Sequence, residues 1–164
     1  MILYHGSTHA IEAPGFPDAN RTLDFGMGFY ATVNHAQASD IAGVAMSRRR
    51  ACDQAVSCYG FDMERAEKEL RILKFAMPDE SWFDFICQNR QGKDAGNAYD
   101  IIIGPVADDK VYATIGFFES RVLTREQAID SLRINPLPDQ IVLKTKAALE
   151  LLKFREAYDP REVS

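Results

Sequence analysis

LDFGMGFYAT, residues 23–32, places Gly26 and Gly28 directly before an aromatic pair, Phe29 and Tyr30, in a stretch that otherwise reads as a strand. Glycine loses more backbone freedom on ordering than any other residue and packs nothing, so glycines at a strand entry mark a turn, a bend or close approach by another group. A dinucleotide-binding turn uses glycines this way, but its fingerprint needs a third glycine and leads from a strand into a helix. Gly26-Met27-Gly28 has no third member and leads into strand-like FYATV. The stretch therefore argues against a doubly wound parallel sheet.

Working outward, MILYHGS at the amino terminus is an apolar strand that stops at Gly6, and residues 8–22, with Pro14, Gly15, Pro17 and Asn20, read as a loop. After FYATV, Asn34 is an N-cap for the helix HAQASDIAGVAMSRRR, which carries Ile41, Val44 and Ala45 on one face. Arginines in its last turn suit the negative end of the helix dipole. AVSCYGFD reads as a third strand, and LRILKFAMP, closed by Pro78, as a strand or a helix end. Asp79 opens the helix ESWFDFICQNR, whose Trp82, Phe85 and Ile86 form a core stripe. YDIIIGPV is a buried strand ending in a Gly-Pro turn, while residues 107–123 are mixed. Thr124 and Gln127 form a capping box for the helix REQAIDSLRI, which Pro136 and Pro138 end. DQIVLKT is the last strand, and KAALELLKF is expected to be a helix. Strands outnumber helices without strict alternation, and no linker or repeat divides the chain, so a single α+β domain over residues 1–164 is expected.

Composition narrows the function classes. The chain has 164 residues, 46% of them hydrophobic and 26% charged, enough for one well-buried core. The net charge of −5 argues against broad binding to nucleic acid backbones, which depends on Lys and Arg. Arg48, Arg49 and Arg50 are the one obvious positive run; they fit a solvated helix end or a phosphate clamp. Cys52, Cys58 and Cys87 match no zinc or redox spacing. No signal peptide and no segment long enough to span a membrane is apparent, which leads to the expectation of a cytoplasmic chain without a membrane partner. There is no phosphate loop, no His-Glu-x-x-His pair and no nucleophile elbow. Among His5, His9 and His35, only His5 ends a strand and is followed by Gly6 and Ser7, which together present a ring nitrogen, bare backbone and a hydroxyl.

YHGS at 4–7 and GMGFYAT at 26–32, taken together, resemble the first two signature motifs of the ADP-ribosyltransferase superfamily, in the branch with poly(ADP-ribose) polymerases and diphtheria toxin. WFDFICQNR, YDIIIGPVADD and DQIVLKTKAALELLKF extend the likeness to a family of small bacterial proteins of unknown function placed in that superfamily. The resemblance implies split antiparallel β-sheets with flanking helices. It also implies NAD as substrate, no metal, and transfer of ADP-ribose to a macromolecular acceptor, protein or nucleic acid. The chain would act as the toxin of a toxin–antitoxin or defence system, with an antitoxin protein as partner.

The same resemblance assigns roles. His5 would bond the adenosine ribose, the Gly6 backbone would pair with the nicotinamide amide, and Ser7 would add a hydroxyl contact. Tyr30 would stack on the nicotinamide ring, worth ~1 kcal/mol beyond area burial, with Gly26 and Gly28 letting the chain bend beneath it. Gln140 opens the strand that aligns with the third motif, where well-studied transferases have glutamate; an amide bonds a hydroxyl but carries no charge to steady an oxocarbenium ion. Glu119 and Asp139 are acids that would substitute, each with a surface or turn role as its plainer reading. Asn89 and Arg90 end a helix, where they either cap it and pair with Asp84 or Asp100, or Arg90 contacts the pyrophosphate. Asp108 and Asp109 read as a turn or as acceptor contacts. The Gln140 departure keeps a second reading open, a catalytically degenerate module that binds NAD or ADP-ribose and acts through a protein partner.

Overall fold

A computed structural model describes residues 1–16, 23–93, 95–107, 109–134 and 137–162. In chain order the elements are β1 (Ile2–Ser7), β2 (Phe29–Ala31), α1 (His35–Arg49), β3 (Ala55–Phe61), α2 (Met63–Glu69), β4 (Ile72–Lys74), α3 (Glu80–Arg90), β5 (Ile101–Pro105), α4 (Asp109–Glu119), α5 (Arg125–Arg133), β6 (Asp139–Leu143), α6 (Lys146–Leu149) and β7 (Leu152–Tyr158). They make an α+β fold with two sheets, ordered β1-β3-β7 and β2-β6-β5-β4. The first is antiparallel throughout. The second departs from the antiparallel expectation at one place, where β4 runs parallel to β5.

Local chemistry sets most element ends. The Asn34 side chain accepts the Gln37 N–H at the start of α1, and Asp79 does the same for the Trp82 N–H at the start of α3. The Thr124–Gln127 capping box is present in both directions. α1 closes on Arg50, whose left-handed conformation (φ 50°) lets its N–H reach the carbonyls of Met46 and Ser47.

The sheets pack face to face. Leu3, Tyr59 and Phe61 of one meet Phe29, Ile101, Ile141 and Leu143 of the other. The far face of the second sheet, with Ile102 and Val142, is covered by Trp82, Phe85 and Ile86 of α3, Val111 and Ile115 of α4, and Ile129 and Leu132 of α5. The stripe expected on α3 is thus core, and the Trp82 indole N–H donates to the Pro105 carbonyl at 3.1 Å. On the far face of the first sheet, α1 lies against Val56 through Ala38 and Ala42. No helix among the described residues is long and apolar enough to cross a membrane.

One further expectation is corrected, and one open stretch is resolved. Residues 146–154 are not one helix: α6 spans four residues and the chain then becomes β7, pairing antiparallel with β3 from Val56–Tyr158 to Phe61–Leu152. Residues 109–119, within the mixed stretch, form α4.

Candidate functional site

β1 and β2 are edge strands of the two sheets that face each other, and their main chains pair at one bridge, between Tyr4 and Thr32 just past β2. The Tyr4 N–H donates to the Thr32 carbonyl (2.8 Å) and the Thr32 N–H to the Tyr4 carbonyl (2.9 Å). Beyond that bridge the strands part. Strand geometry repeats every two residues, so the N–H and C=O of Gly6 are directed to the same side as those of Tyr4, into the gap that β2 leaves.

A cleft of about 580 Å³ opens there, lined by His5, Gly6 and Ser7 of β1 and by Gly28, Phe29 and Tyr30. His9, Ile11, Gly15 and Phe16, which follow β1, form one rim. That rim is tied down at Ile11, where Ser57 Oγ accepts the Ile11 N–H (2.9 Å) and the Tyr59 hydroxyl donates to the Ile11 carbonyl (2.5 Å). The opposite rim is α1, through Ile41, Val44 and Ala45 and then Arg48 and Arg49. Ile41 and Val44 share a face, as expected, but it is the cleft face rather than the core: they are 44% and 48% exposed.

His5 sits in the fork. Its Nδ1 lies 2.6 Å from the Tyr30 carbonyl, which has only lone pairs to offer, so Nδ1 carries the proton and Nε2 is left as an acceptor. The ring stacks on Phe29 at a centroid distance of 4.6 Å. Burial holds the His5 pKa below its ordinary 6.5, opposed by the bond to the Tyr30 carbonyl and reinforced by His9 and the Arg49 charge. The imidazole is therefore neutral at physiological pH. The Ser7 hydroxyl donates to the His9 carbonyl at 2.5 Å, leaving its lone pairs as acceptors.

Tyr30 meets His5 through its main chain. Its hydroxyl donates to the Gly26 carbonyl (2.7 Å) and accepts the Phe25 N–H (3.1 Å), so the phenol is locked over the preceding turn. Phe29 belongs to the core between the sheets, whereas Tyr30 packs against the core on the other side, as strand alternation requires. The glycines have reasons in the fold itself. Gly26 has φ 77° and closes a turn to the Leu23 carbonyl. A Cβ on Gly28 would lie 2.5 Å from Val142 Cγ1, and one on Gly6 would lie 2.0 Å from the Ala38 carbonyl oxygen of α1.

The other expected site residues lie elsewhere. Gln140 of β6 is buried opposite Gly104, on the Val142 and Tyr30 face of the sheet, and does not line the cleft. Its Nε2 has no hydrogen-bond partner among the described residues. Asp139 gives its carbonyl to the Thr32 hydroxyl (3.1 Å), and partial burial raises its carboxyl pKa. Glu119 is exposed at the end of α4. Asp108 and the Asp109 side chain lie outside the described residues.

Arg90 is not a cleft residue either. Its guanidinium lies 4.8 Å above the Tyr112 ring. The carboxylates expected to pair with it are taken by others, Asp84 by Arg125 and Asp100 by Arg71. Asn89 and Tyr112 hold the segment that leads into the cleft: Asn89 Nδ2 donates to the Asp24 carbonyl (2.8 Å) and the Tyr112 hydroxyl to Asp24 Oδ1 (2.5 Å). Burial pushes the Asp24 carboxyl up, against the pull of that hydroxyl and of the Arg90 charge. This bracing was not legible in the sequence, because Asp24, Asn89 and Tyr112 are far apart along the chain and match no local motif.

No acidic side chain lines the cleft among the described residues, although the chain as a whole is acidic. The site can accept a hydrogen bond at an imidazole nitrogen, offer an edge-strand amide and carbonyl, enclose a flat group against aliphatic side chains, and face an anion with two guanidinium groups.

Residues 1–154 match the family described as a protein of unknown function, DUF3990, and the chain belongs to it. No curated protein and no solved structure matches the chain.

Proposed function

We propose that this chain is an NAD-dependent mono-ADP-ribosyltransferase that modifies a macromolecule, acting as the toxin of a toxin–antitoxin or defence pair in the bacterial cytoplasm. The observation that carries the reading is the convergence of His5, Gly6, Ser7, Gly28 and Tyr30, from two motifs 19 residues apart, on one cleft where the two sheets part. On this reading the architecture is of the ADP-ribosyltransferase kind. The cleft volume lies within the range of small-molecule sites, about 300–1,000 Å³.

The chemistry fits the groups present. A primary carboxamide needs one donor and one acceptor side by side, which the Gly6 N–H and C=O supply to nicotinamide. Neutral His5, with Nε2 unprotonated, accepts a ribose hydroxyl. Once both ends are held, the bond from the ribose anomeric carbon to the nicotinamide nitrogen breaks, and nicotinamide leaves with the electron pair as a neutral molecule. The ribose passes through an oxocarbenium-like state until an acceptor nucleophile attacks and sheds its proton to solvent. Gln140, by resemblance the third-motif residue, lies outside the cleft lining, so no role in the reaction is assigned to it.

Incubation with NAD labelled on the adenylate should transfer label into lysate and release one nicotinamide per label. His5→Ala together with Tyr30→Ala should lower both at least a hundredfold. Undiminished transfer by that double variant refutes the site, and nuclease-sensitive label would identify a nucleic acid acceptor. A second reading, a binding module without turnover, is favoured by the uncharged and buried Gln140. It expects NAD to bind with no nicotinamide released, whereas the transferase reading expects release together with label transfer.

A further inference from the structure

Arg90, the residue expected to meet a pyrophosphate, is engaged with Tyr112 away from the cleft, while two other arginines reach it. Arg48 and Arg49 occupy the last turn of α1, and both line the cleft. A helix end alone would account for arginines there, since its carbonyls favour positive charge. Three observations go further. Neither Arg48 nor Arg49 takes part in an ion pair shown among the described residues, whose paired cations include Arg65, Arg71, Lys74, Arg125, Arg133 and Arg161. The cleft lining that contains the two arginines holds no carboxylate among the described residues, so their charge is directed at whatever enters. The helix that carries them is docked closely on the strand that carries His5, because Gly6 lets the Ala38 and Ala42 backbone approach.

We propose that Arg48 and Arg49 form an anion subsite at the α1 rim of the cleft that takes the diphosphate of the dinucleotide, which rests on the NAD reading above. The Arg49 charge is felt at the His5 ring, which places the subsite within electrostatic reach of the ribose-binding imidazole. Guanidinium forks match phosphate oxygens, and such charge-assisted bonds are roughly twice as strong as neutral ones. The aliphatic stretch formed by Ile41, Val44 and Ala45 then continues the wall from the diphosphate toward the ring end of the ligand.

The test is calorimetric titration of the full chain and of Arg48→Gln/Arg49→Gln with NAD, ADP-ribose, adenosine, nicotinamide and inorganic pyrophosphate, at low and high salt. Both side chains are exposed, so the variant should fold, and its thermal transition is checked alongside. The double variant should bind NAD and ADP-ribose roughly ten- to a hundredfold more weakly and lose the salt dependence of that binding. Adenosine and nicotinamide should be unaffected. NAD binding that is unchanged, or weakened no more than adenosine binding, overturns the subsite and leaves the NAD reading standing. Arginine-dependent binding of pyrophosphate with none of NAD or ADP-ribose supports the anion subsite and overturns the NAD reading. Binding of neither overturns both.

Discussion

His5 combines burial, a fixed tautomer and an aromatic neighbour, and each follows from where β1 and β2 part. Its Nδ1–H is committed to the Tyr30 carbonyl, so protonating Nε2 would place a cation in the fork beside Arg49. The sign of the resulting pH effect is fixed by the depressed pKa. In the unfolded chain His5 takes up a proton near 6.5, and in the folded chain only at lower pH. Between those values the unfolded state binds more protons, so stability falls as pH drops below about 6.5, by at most about 1.4 kcal/mol per pH unit. Urea melts of the wild type and His5→Gln from pH 7.5 down to 5 should therefore differ in slope, with the variant flatter. Identical slopes would mean that His5 already titrates normally in the folded protein. His5, Gly6, Ser7, Gly28 and Tyr30 were legible in the sequence because each group of them sits within one short strand and its approach, where spacing translates directly into proximity. Arg90 misled for the opposite reason: the end of a helix is easily located along the chain, but what it faces is not.

At the scale of elements, the glycines next to the site serve the docking of strands and helices. Gly6 lets α1 lie on β1, and Gly28 lets β2 lie beside β6. Replacing either by alanine forces backbone to move, because the obstructing atoms include main-chain oxygens of Ala38 and Leu143 rather than flexible side-chain ends alone. Gly6→Ala and Gly28→Ala should each destabilise by about 1–3 kcal/mol or more. Gly116→Ala in α4, where a Cβ meets nothing within 4 Å, should stabilise by about 0.5–1 kcal/mol. Denaturant midpoints measure all three, and a neutral Gly6→Ala would show that α1 is not seated as described. The caps at Asn34, Asp79 and Thr124 are legible in the sequence because a cap is a local bond. The apolar face of α1 is legible as a face, but amphipathic spacing does not tell a core from a cleft wall. Ala38 and Ala42, two small residues, provide the actual seat.

For the whole molecule, two sheets stacked face to face, with helices on both outer sides, create the fork as a by-product of joining at a single bridge. The three-stranded sheet depends on its last strand: β3 lies between β1 and β7, and without β7 only a two-stranded ribbon would support the His5 side of the cleft. Such a ribbon is marginal in water. A chain ending at Leu151 should lose its cooperative unfolding transition, followed by circular dichroism and tryptophan fluorescence, whereas one ending at Arg161 should keep it. A cooperative transition in the shorter chain would separate the cleft from β7. The sequence by itself determined the α+β class, most strands, the capped helix starts and the two motifs that meet at the cleft, because these rest on period, propensity and bonds between near neighbours. Only the tertiary structure decided that residues 152–158 pair as a strand, that Arg48 and Arg49 rather than Arg90 face the cleft, and that Gln140 is buried away from it. Those outcomes depend on contacts between residues distant along the chain, where the burial gained by pairing and packing outweighs local preference.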